Sequence, residues 1–97
     1  MRIEILDEAL DDLAEGFRFY EEQEAGIGDY FLNSLHSDID SLVLYAGIHR
    51  VVFGFHRALS KRFPFAIYYE LKGDFIRVHG VIDCRRNPTR IRKRLSG

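Results

Sequence analysis

The sequence predicts an α+β fold: a short N-terminal strand, an antiparallel helical hairpin packed on a small antiparallel sheet, and a basic C-terminal tail that can form a helix. Two observations carry this prediction. Apolar residues recur at helical spacing as far as Gly47 and alternate along strands from His56 onward. Charge divides near the same point, since residues 1–56 hold three basic and twelve acidic side chains while residues 57–97 hold eleven basic and three acidic ones. A segregated basic field of this kind is typical of a surface that meets an anionic partner.

Size and composition indicate one domain spanning residues 1–97. A chain of this length can bury roughly two thirds of its extended surface, and 46% of its residues are hydrophobic, including eight Phe. The single cysteine excludes an internal disulfide and fits a reducing compartment. We find neither a basic-then-apolar leader nor an apolar run of the roughly 20 residues that a membrane span needs. We therefore expect a cytoplasmic protein.

The first strand and the first helix follow directly from the opening residues. Ile3 and Ile5 alternate with Arg2 and Glu4, which predicts a short strand. Asp7 is placed to cap a helix, with further acidic residues near the helix N-terminus, where they are favourable. The apolar stripe of this helix comprises Leu10, Leu13, Ala14, Phe17 and Tyr20.

A second helix follows after a short turn. Gly26 and Gly28 end the first helix, and Asp29 can cap the next one. Because the connection is short, the two helices should be antiparallel neighbours. We expect the second helix to end at Gly47. Its buried stripe comprises Phe31, Leu35, Ile39 and Leu42.

The remaining chain reads as an antiparallel meander. The period between Ile48 and Phe55 is unclear, whereas residues 56–62 predict a strand that ends at a Phe63-Pro64 turn. Residues 65–71 alternate as the next strand, and Lys72-Gly73-Asp74 has the composition of a hairpin turn.

A last strand and a short helix complete the predicted fold. Residues 75–83 form the strand, with the apolar face Ile76, Val78, Gly80 and Ile82. Asn87-Pro88 is typical of an N-cap followed by proline at the first helical position. Ile91 and Leu95 lie four residues apart and could dock this helix, leaving its basic residues outward.

The second half of the chain resembles the RelE/ParE superfamily of toxins from bacterial toxin–antitoxin pairs. Two segments carry the resemblance: RALSKRFPFAIYY at residues 57–69 and VIDCRRNP at residues 81–88. They match the family's basic strand, its Phe-Pro-Phe turn with the following aliphatic-Tyr-Tyr strand, and its closing Arg-Arg-Asn-Pro. The helical hairpin fits as well, so the resemblance covers nearly the whole chain. It is closer to the ParE-like members, which are associated with plasmid stabilisation.

The resemblance implies the toxin of a type II toxin–antitoxin module that inhibits its target, possibly DNA gyrase, by binding it. The implied partner is a ParD-like or similar antitoxin with a segment that folds on binding. No cofactor, metal or membrane is implied. The alternative is a RelE-like endoribonuclease that cuts messenger RNA on the ribosome, with Lys61, Arg62 and Arg85 holding the scissile phosphate. RelE-type enzymes often use a tyrosine near the C-terminus, and no aromatic residue follows Phe75 here.

Eight cations of the C-terminal half are the candidate target- or partner-binding residues. Residues 57, 59 and 61 should share one strand face, so Arg57 and Lys61 should point together. The alternative interpretation is a solvated strand face and a solvated tail. The eight candidates are Arg57, Lys61, Arg62, Arg85, Arg86, Arg90, Arg92 and Arg94.

Other polar residues receive structural interpretations. We expect Tyr68 and Tyr69 to pack in the core, although an aromatic ring could also stack on a base. Cys84 reads as a buried, small and inert residue. Asp83 reads as an ion-pair partner that orients an arginine. The four histidines have no recognised metal-ligand spacing.

Overall fold

The computed structural model describes all residues from 1 to 97 and confirms the α+β prediction. The first half contains one strand and three helices, and the second half contains four strands and one helix. In chain order these are β1 (Arg2–Ile5), α1 (Asp7–Gln23), α2 (Ile27–Asp40), α3 (Leu42–Tyr45), β2 (Val51–Val52), β3 (Phe55–Leu59), β4 (Phe65–Lys72), β5 (Phe75–Asp83) and α4 (Pro88–Ser96).

The five strands form a single sheet in the order β1-β5-β4-β3-β2. Strands β2 to β5 are antiparallel neighbours, whereas β1 lies parallel to β5 with Ile3 opposite Ile76. A parallel neighbour needs a long crossover, and the helical hairpin lies within this one. The first strand of the chain therefore pairs with the last.

The helical hairpin covers one face of the sheet, which we call the first face. Its core is a cluster of thirteen buried residues drawn from α1, α2, α3 and the strands. The predicted stripe Phe31, Leu35, Ile39 and Leu42 is confirmed, with each side chain no more than 1% exposed. Tyr69 belongs to the same core, and its hydroxyl accepts a hydrogen bond from the Gly47 amide at 3.0 Å.

The inner face of α1 differs from the predicted stripe. Leu10 is 45% exposed, while Ala9, Leu13 and Gly16 are buried. A Cβ atom at Gly16 would lie 2.4 Å from Cζ of Phe31, so only glycine lets the two helices approach this closely. The helix packs its small residues Ala9 and Gly16 against the core, so a stripe of large apolar residues does not predict its inner face.

The predicted caps of α1 and α2 are wrong. Leu6 precedes α1 and makes no capping bond through its side chain, and α2 starts at Ile27, so Asp29 lies within its first turn. The carboxylate of Glu21 instead accepts hydrogen bonds from the amides of Gly26 at 3.1 Å and Gly28 at 2.9 Å. A residue of α1 thus satisfies the amide donors at the start of α2, which a local N-cap side chain would otherwise satisfy.

The second helix also ends earlier than predicted. It stops at Asp40, and the four-residue helix α3 follows after Ser41. The hydroxyl of Ser41 donates to the Asp38 carbonyl at 2.6 Å, a local bond that competes with the helical ladder. Gly47, with φ of 94°, then reverses the chain after α3.

Strand β3 ends at Leu59, so the predicted strand over residues 56–62 is wrong in its last three positions. The buried carboxylate of Asp38 accepts hydrogen bonds from the Ser60 hydroxyl at 2.8 Å and the Lys61 amide at 3.3 Å. These bonds draw the chain toward α2 and away from the sheet. Lys61 and Arg62 therefore lie in the β3–β4 loop.

A β-bulge changes which side chains of β5 point to each face of the sheet. Tyr69 pairs with Val78 and Tyr68 pairs with Gly80, so His79 is the extra residue. Val81 consequently joins the first-face core, and Ile82 faces the opposite side. The predicted alternation is correct at Ile76 and Val78 and wrong beyond them, because a bulge inverts the period.

Helix α4 covers part of the other face of the sheet, which we call the second face. Ile91 and Leu95 pack against Ala66, Tyr68 and Ile82. The Asn87 side chain caps the helix by accepting a hydrogen bond from the Thr89 amide at 2.8 Å, as predicted. The longest helix of the chain, α1, has seventeen residues and many charges, and no helix could span a bilayer.

Candidate functional site

The eight candidate cations occupy three places. Arg57 lies on β3 beneath α4, on the second face. Four others lie in the β3–β4 loop and the β5–α4 loop, which meet at one end of the sheet where the Cys84 amide donates to the Pro64 carbonyl at 2.8 Å. The last three belong to α4. The loop residues are Lys61, Arg62, Arg85 and Arg86, and the helix residues are Arg90, Arg92 and Arg94.

The expectation that Arg57 and Lys61 share a strand face is wrong, because β3 ends before Lys61. Arg57 is half-buried against the second face, while Lys61 and Arg62 are exposed in the loop. The binding surface that the sequence suggested is therefore a discontinuous set that runs from one end of the sheet onto α4.

Three of the candidate arginines already have carboxylate partners. Arg85 makes a bidentate pair with Asp83, with distances of 3.0 Å from Nε to Oδ1 and 2.7 Å from Nη2 to Oδ2. Arg86 reaches Glu15 at 3.2 Å, and Arg94 reaches Asp12 at 2.6 Å. All three pairs lie around the junction of α1 with the edge of β5.

The Asp83–Arg85 pair confirms the interpretation of Asp83 as a partner that orients an arginine. The hydrogen bond from Arg85 lowers the pKa of the Asp83 carboxyl, and the carboxylate in turn raises the pKa of the Arg85 guanidinium. An exposed arginine held in this way presents a fixed geometry to solvent. Its charge, however, is partly neutralised.

The other five candidates make no ion pair with any carboxylate of the chain: Arg57, Lys61, Arg62, Arg90 and Arg92. Arg90 and Arg92 lie on the outward side of α4, since the apolar side of that helix, Ile91 and Leu95, is buried. Arg92 also lies over the ring of Phe53, 5.8 Å from its centroid. Unpaired cations are the ones whose charge is available to a partner.

A cavity of about 190 Å³ lies between α4 and the second face. We call it the second-face cradle. Two arginines, a tyrosine and the single cysteine line it together with apolar side chains. The full set is Val52, Phe53, Arg57, Tyr68, Cys84, Arg86, Pro88 and Ile91.

The polar groups of the second-face cradle centre on Arg57. Its Nη2 donates to Sγ of Cys84 at 3.8 Å, and its Nε is buried without a hydrogen-bond partner. Burial raises the pKa of the Tyr68 hydroxyl, and the neighbouring Arg57 opposes that shift. A buried guanidinium nitrogen with a free donor would gain from an anionic acceptor. The second-face cradle can thus attract a carboxylate or a phosphate through the charge of Arg57, and Nε becomes reachable when a neighbouring side chain moves.

Tyr68 and Tyr69 pack in the core as expected, at 2% and 0% exposure. The Tyr69 ring stacks on His56 and lies edge-on to His49, and the Tyr68 ring is tilted against Phe53 at a centroid distance of 6.4 Å. His79 lies against the carboxylate of Glu70, but no group of three or more His, Cys, Asp or Glu is placed to hold a metal ion.

A second cavity, of about 230 Å³, lies on the opposite side of the β5 edge, and we call it the edge groove. Three of its residues are the carboxylate partners of the arginines described above: Asp12, Glu15 and Asp83. Burial raises the pKa of Asp12 to about 6. The sequence did not single out Asp12, because a lone aspartate on an acidic helix face resembles its solvated neighbours.

The fold matches a known class. No protein-family model matches the chain, and no curated protein matches its sequence. Among solved structures, the chain is similar to a chain of the chromosomal ParDE toxin–antitoxin system from P. aeruginosa, with a TM-score of 0.77 and 19% identity. The match covers 86% of this chain and 95% of that one. At this identity the likeness establishes the fold, so the RelE/ParE-like fold that the sequence resemblance implied is confirmed.

Proposed function

We propose that this chain is the toxin of a type II toxin–antitoxin module and that it inhibits its target by binding. The similarity in fold to a chain of a ParDE toxin–antitoxin system is the observation that carries the proposal. The distribution of charge supports it, because five of the eight candidate cations remain without ion pairs. Binding by a ParE-like protein requires such a surface and no catalytic set.

The proposed target surface joins the second-face cradle to the outer side of α4. Arg57 supplies a buried donor, Arg90 and Arg92 supply exposed charge, and the loop cations Lys61 and Arg62 extend the field. A target with carboxylates or phosphates at matching spacing would complete these groups. DNA gyrase is the first target to test.

The proposed partner is a ParD-like antitoxin with a segment that is disordered alone and folds on this chain. Several large exposed apolar side chains offer contacts for such a segment. On and after the hairpin these include Phe19 at 50%, Leu44 at 78% and Ile48 at 74% exposure. An antitoxin segment with acidic residues could cover such a surface and also mask the cations.

The decisive experiment is induced expression with and without the product of the neighbouring gene, followed by parallel assays of gyrase supercoiling and messenger RNA integrity. We expect growth arrest that co-expression relieves, loss of supercoiling, and intact ribosome-bound messenger RNA. Position-specific cleavage of that RNA would contradict the proposal and support the endoribonuclease alternative.

Charge-removing variants locate the binding surface. Truncation after Pro88 would uncover Tyr68 and Ile82, so substitutions test the role of the tail without exposing the sheet. We expect Arg57→Met, and the double change Arg90→Ser with Arg92→Ser, each to reduce inhibition at least about ten-fold, since a charge-assisted contact is typically a few kcal/mol. Lys72→Met is the matched control, because Lys72 is exposed at the β4–β5 turn. Equal toxicity in all variants would contradict the assignment.

A further inference from the structure

The outer edge of β5 has a different neighbour in each half of the strand. The β1 strand pairs with residues 75–78 only, and the Leu6 amide donates to the Val78 carbonyl at 3.0 Å as the chain leaves for α1. Beyond this point two side chains take the place of a strand. Asp12 of α1 accepts a hydrogen bond from the Val81 amide at 3.0 Å, and Arg94 of α4 lies 3.5 Å from the His79 carbonyl.

Asp12 and Arg94 also bind each other. Nη2 of Arg94 donates to Oδ2 of Asp12 at 2.6 Å, the same oxygen that accepts from Val81. The Asp12 side chain is 10% exposed and that of Arg94 is 28% exposed, so both are more buried than the Arg86–Glu15 pair at 42% and 62%. Removing one partner of a shielded pair leaves the other group buried and unpaired, which costs more than breaking a surface ion pair.

The other attachments of α4 are few. Its apolar contacts come from Ile91 and Leu95, and its N-terminus is capped by Asn87. A nine-residue helix is marginal in water without tertiary contacts. The last turn of α4 is therefore held by Leu95 and by the contacts of Arg94 with Asp12 and the His79 carbonyl.

We infer that Asp12 is a positioning residue for the second-face cradle, on the opposite side of the sheet, and that it acts through Arg94 and α4. The helix supplies Pro88 and Ile91 to the wall of the cradle, and it carries Arg90 and Arg92. Release of Arg94 from Asp12 allows α4 to leave Tyr68 and Ile82, which opens the cradle. Through this tether the α1 side of the molecule controls the shape of the cationic side.

Hydrogen exchange of α4 measures the tether directly. Asp12→Asn keeps an acceptor for the Val81 amide and removes the charge, while Arg94→Met keeps the aliphatic stem and removes the guanidinium. We expect amide exchange within residues 91–96 to be about ten-fold faster in each variant, because loss of one charge-assisted bond raises the population of the detached helix by that order. In the double variant the exchange should be no faster than in the single ones.

A control variant and a second measurement make the test specific to the tether. Glu4→Gln is the matched control, since it breaks the Arg77–Glu4 pair, which has the same 2.6 Å distance but joins β1 to β5. The thiol of Cys84, which lines the cradle, should react faster with iodoacetamide in the Asp12 and Arg94 variants only. If Asp12→Asn fails to fold, Arg94→Met with this control decides the outcome by itself.

The inference is overturned if α4 exchanges within two-fold of the wild-type rate in both variants, if the two effects multiply in the double variant, or if Glu4→Gln has the same effect. The inference rests on the proposed function only in the statement that the cradle binds the target. Faster exchange with unchanged toxicity would contradict the proposed role of the cradle and leave the tether intact. Unchanged exchange together with loss of toxicity in Arg57→Met would contradict the tether and support the role of the cradle.

Discussion

The two faces of the sheet differ in what covers them. The first face is covered by the hairpin of α1 and α2, which together with α3 and the strands encloses a cluster of thirteen buried residues. The second face is covered by one nine-residue helix over a cluster of five. Aromatic rings interlock on the first face, where Phe31 contacts Tyr20, Phe63 and Phe65 at centroid distances of 4.9 to 5.2 Å. Polar groups remain beside the second-face cluster, where Arg57 and Cys84 line a cavity.

This difference separates stability from binding. Burial of apolar surface is the main source of folding free energy, so the first face should determine whether the chain folds. The second face buries less, and we expect its cover to leave without unfolding the hairpin. The candidate site thus lies in the part of the molecule that we expect to be least stable, as is common for binding regions.

The largest expected effect on stability is at the centre of the first face. Phe31→Ala should lower the free energy of unfolding by about 3–5 kcal/mol, because it leaves a cavity among rings that cannot collapse into it. Urea unfolding followed by circular dichroism measures the change. A loss below about 1 kcal/mol would show that the first face is not the main core.

A smaller loss is expected on the second face. Leu95→Ala should cost about 2 kcal/mol, at the low end for buried leucine, because α4 can move to fill the space. In the same measurement the unfolding of the hairpin should remain cooperative. If Leu95→Ala were as destabilising as Phe31→Ala, the two faces would form one inseparable core.

The stability of the fold should also depend on the ionisation of Asp12, which joins the two faces. Its pKa is raised to about 6 in the fold, from 3.8 in the unfolded chain. The folded state therefore holds this proton more tightly, and the contribution to stability is fully present below pH 3.8 and is lost as pH rises through about 6.

The wild-type protein should accordingly lose about 1–2 kcal/mol relative to Asp12→Asn between pH 4.5 and pH 7.5, a value reduced from the full shift because the groove admits solvent. Parallel urea titrations at the two pH values test this. A difference between the two proteins that does not vary with pH would contradict the raised pKa.

The smallest effect concerns the start of α4. Asn87→Ala should cost about 1 kcal/mol of α4 stability, since the Asn87 side chain satisfies the Thr89 amide. Hydrogen exchange at the start of α4 reports it. Asn33→Ala, at an exposed position within α2, is the control and should leave α4 unchanged.

Sequence patterns predict those features that depend on local chemistry. The stripe from Phe31 to Leu42, the bounds of β5 and the Asn87 cap all follow from spacing or from one residue's side chain. Features that depend on distant residues escape such patterns. The end of β3 is set by Asp38, more than twenty positions earlier in the chain, and the start of α2 is set by Glu21.

The candidate site follows the same rule. The sequence predicted that the C-terminal cations matter, but it could not divide them into paired and unpaired ones, because the partners Asp12 and Glu15 lie some seventy or more positions away. It also placed Arg57 and Lys61 together on a strand that is shorter than its alternation suggests. Composition identifies which residues carry charge, and only the fold decides which of these charges remain free.

The pairing of β1 with β5 has a consequence for biosynthesis. Residues 2–5 are made some seventy residues before their hydrogen-bonding partners, residues 75–78. Contacts so far apart in sequence form slowly and late. The nascent chain can form its first helices early but cannot close its sheet until residues 75–78 have been made. If the chain is a toxin, it cannot act before its sheet has closed, and a partner already present in the cell can meet it as it folds.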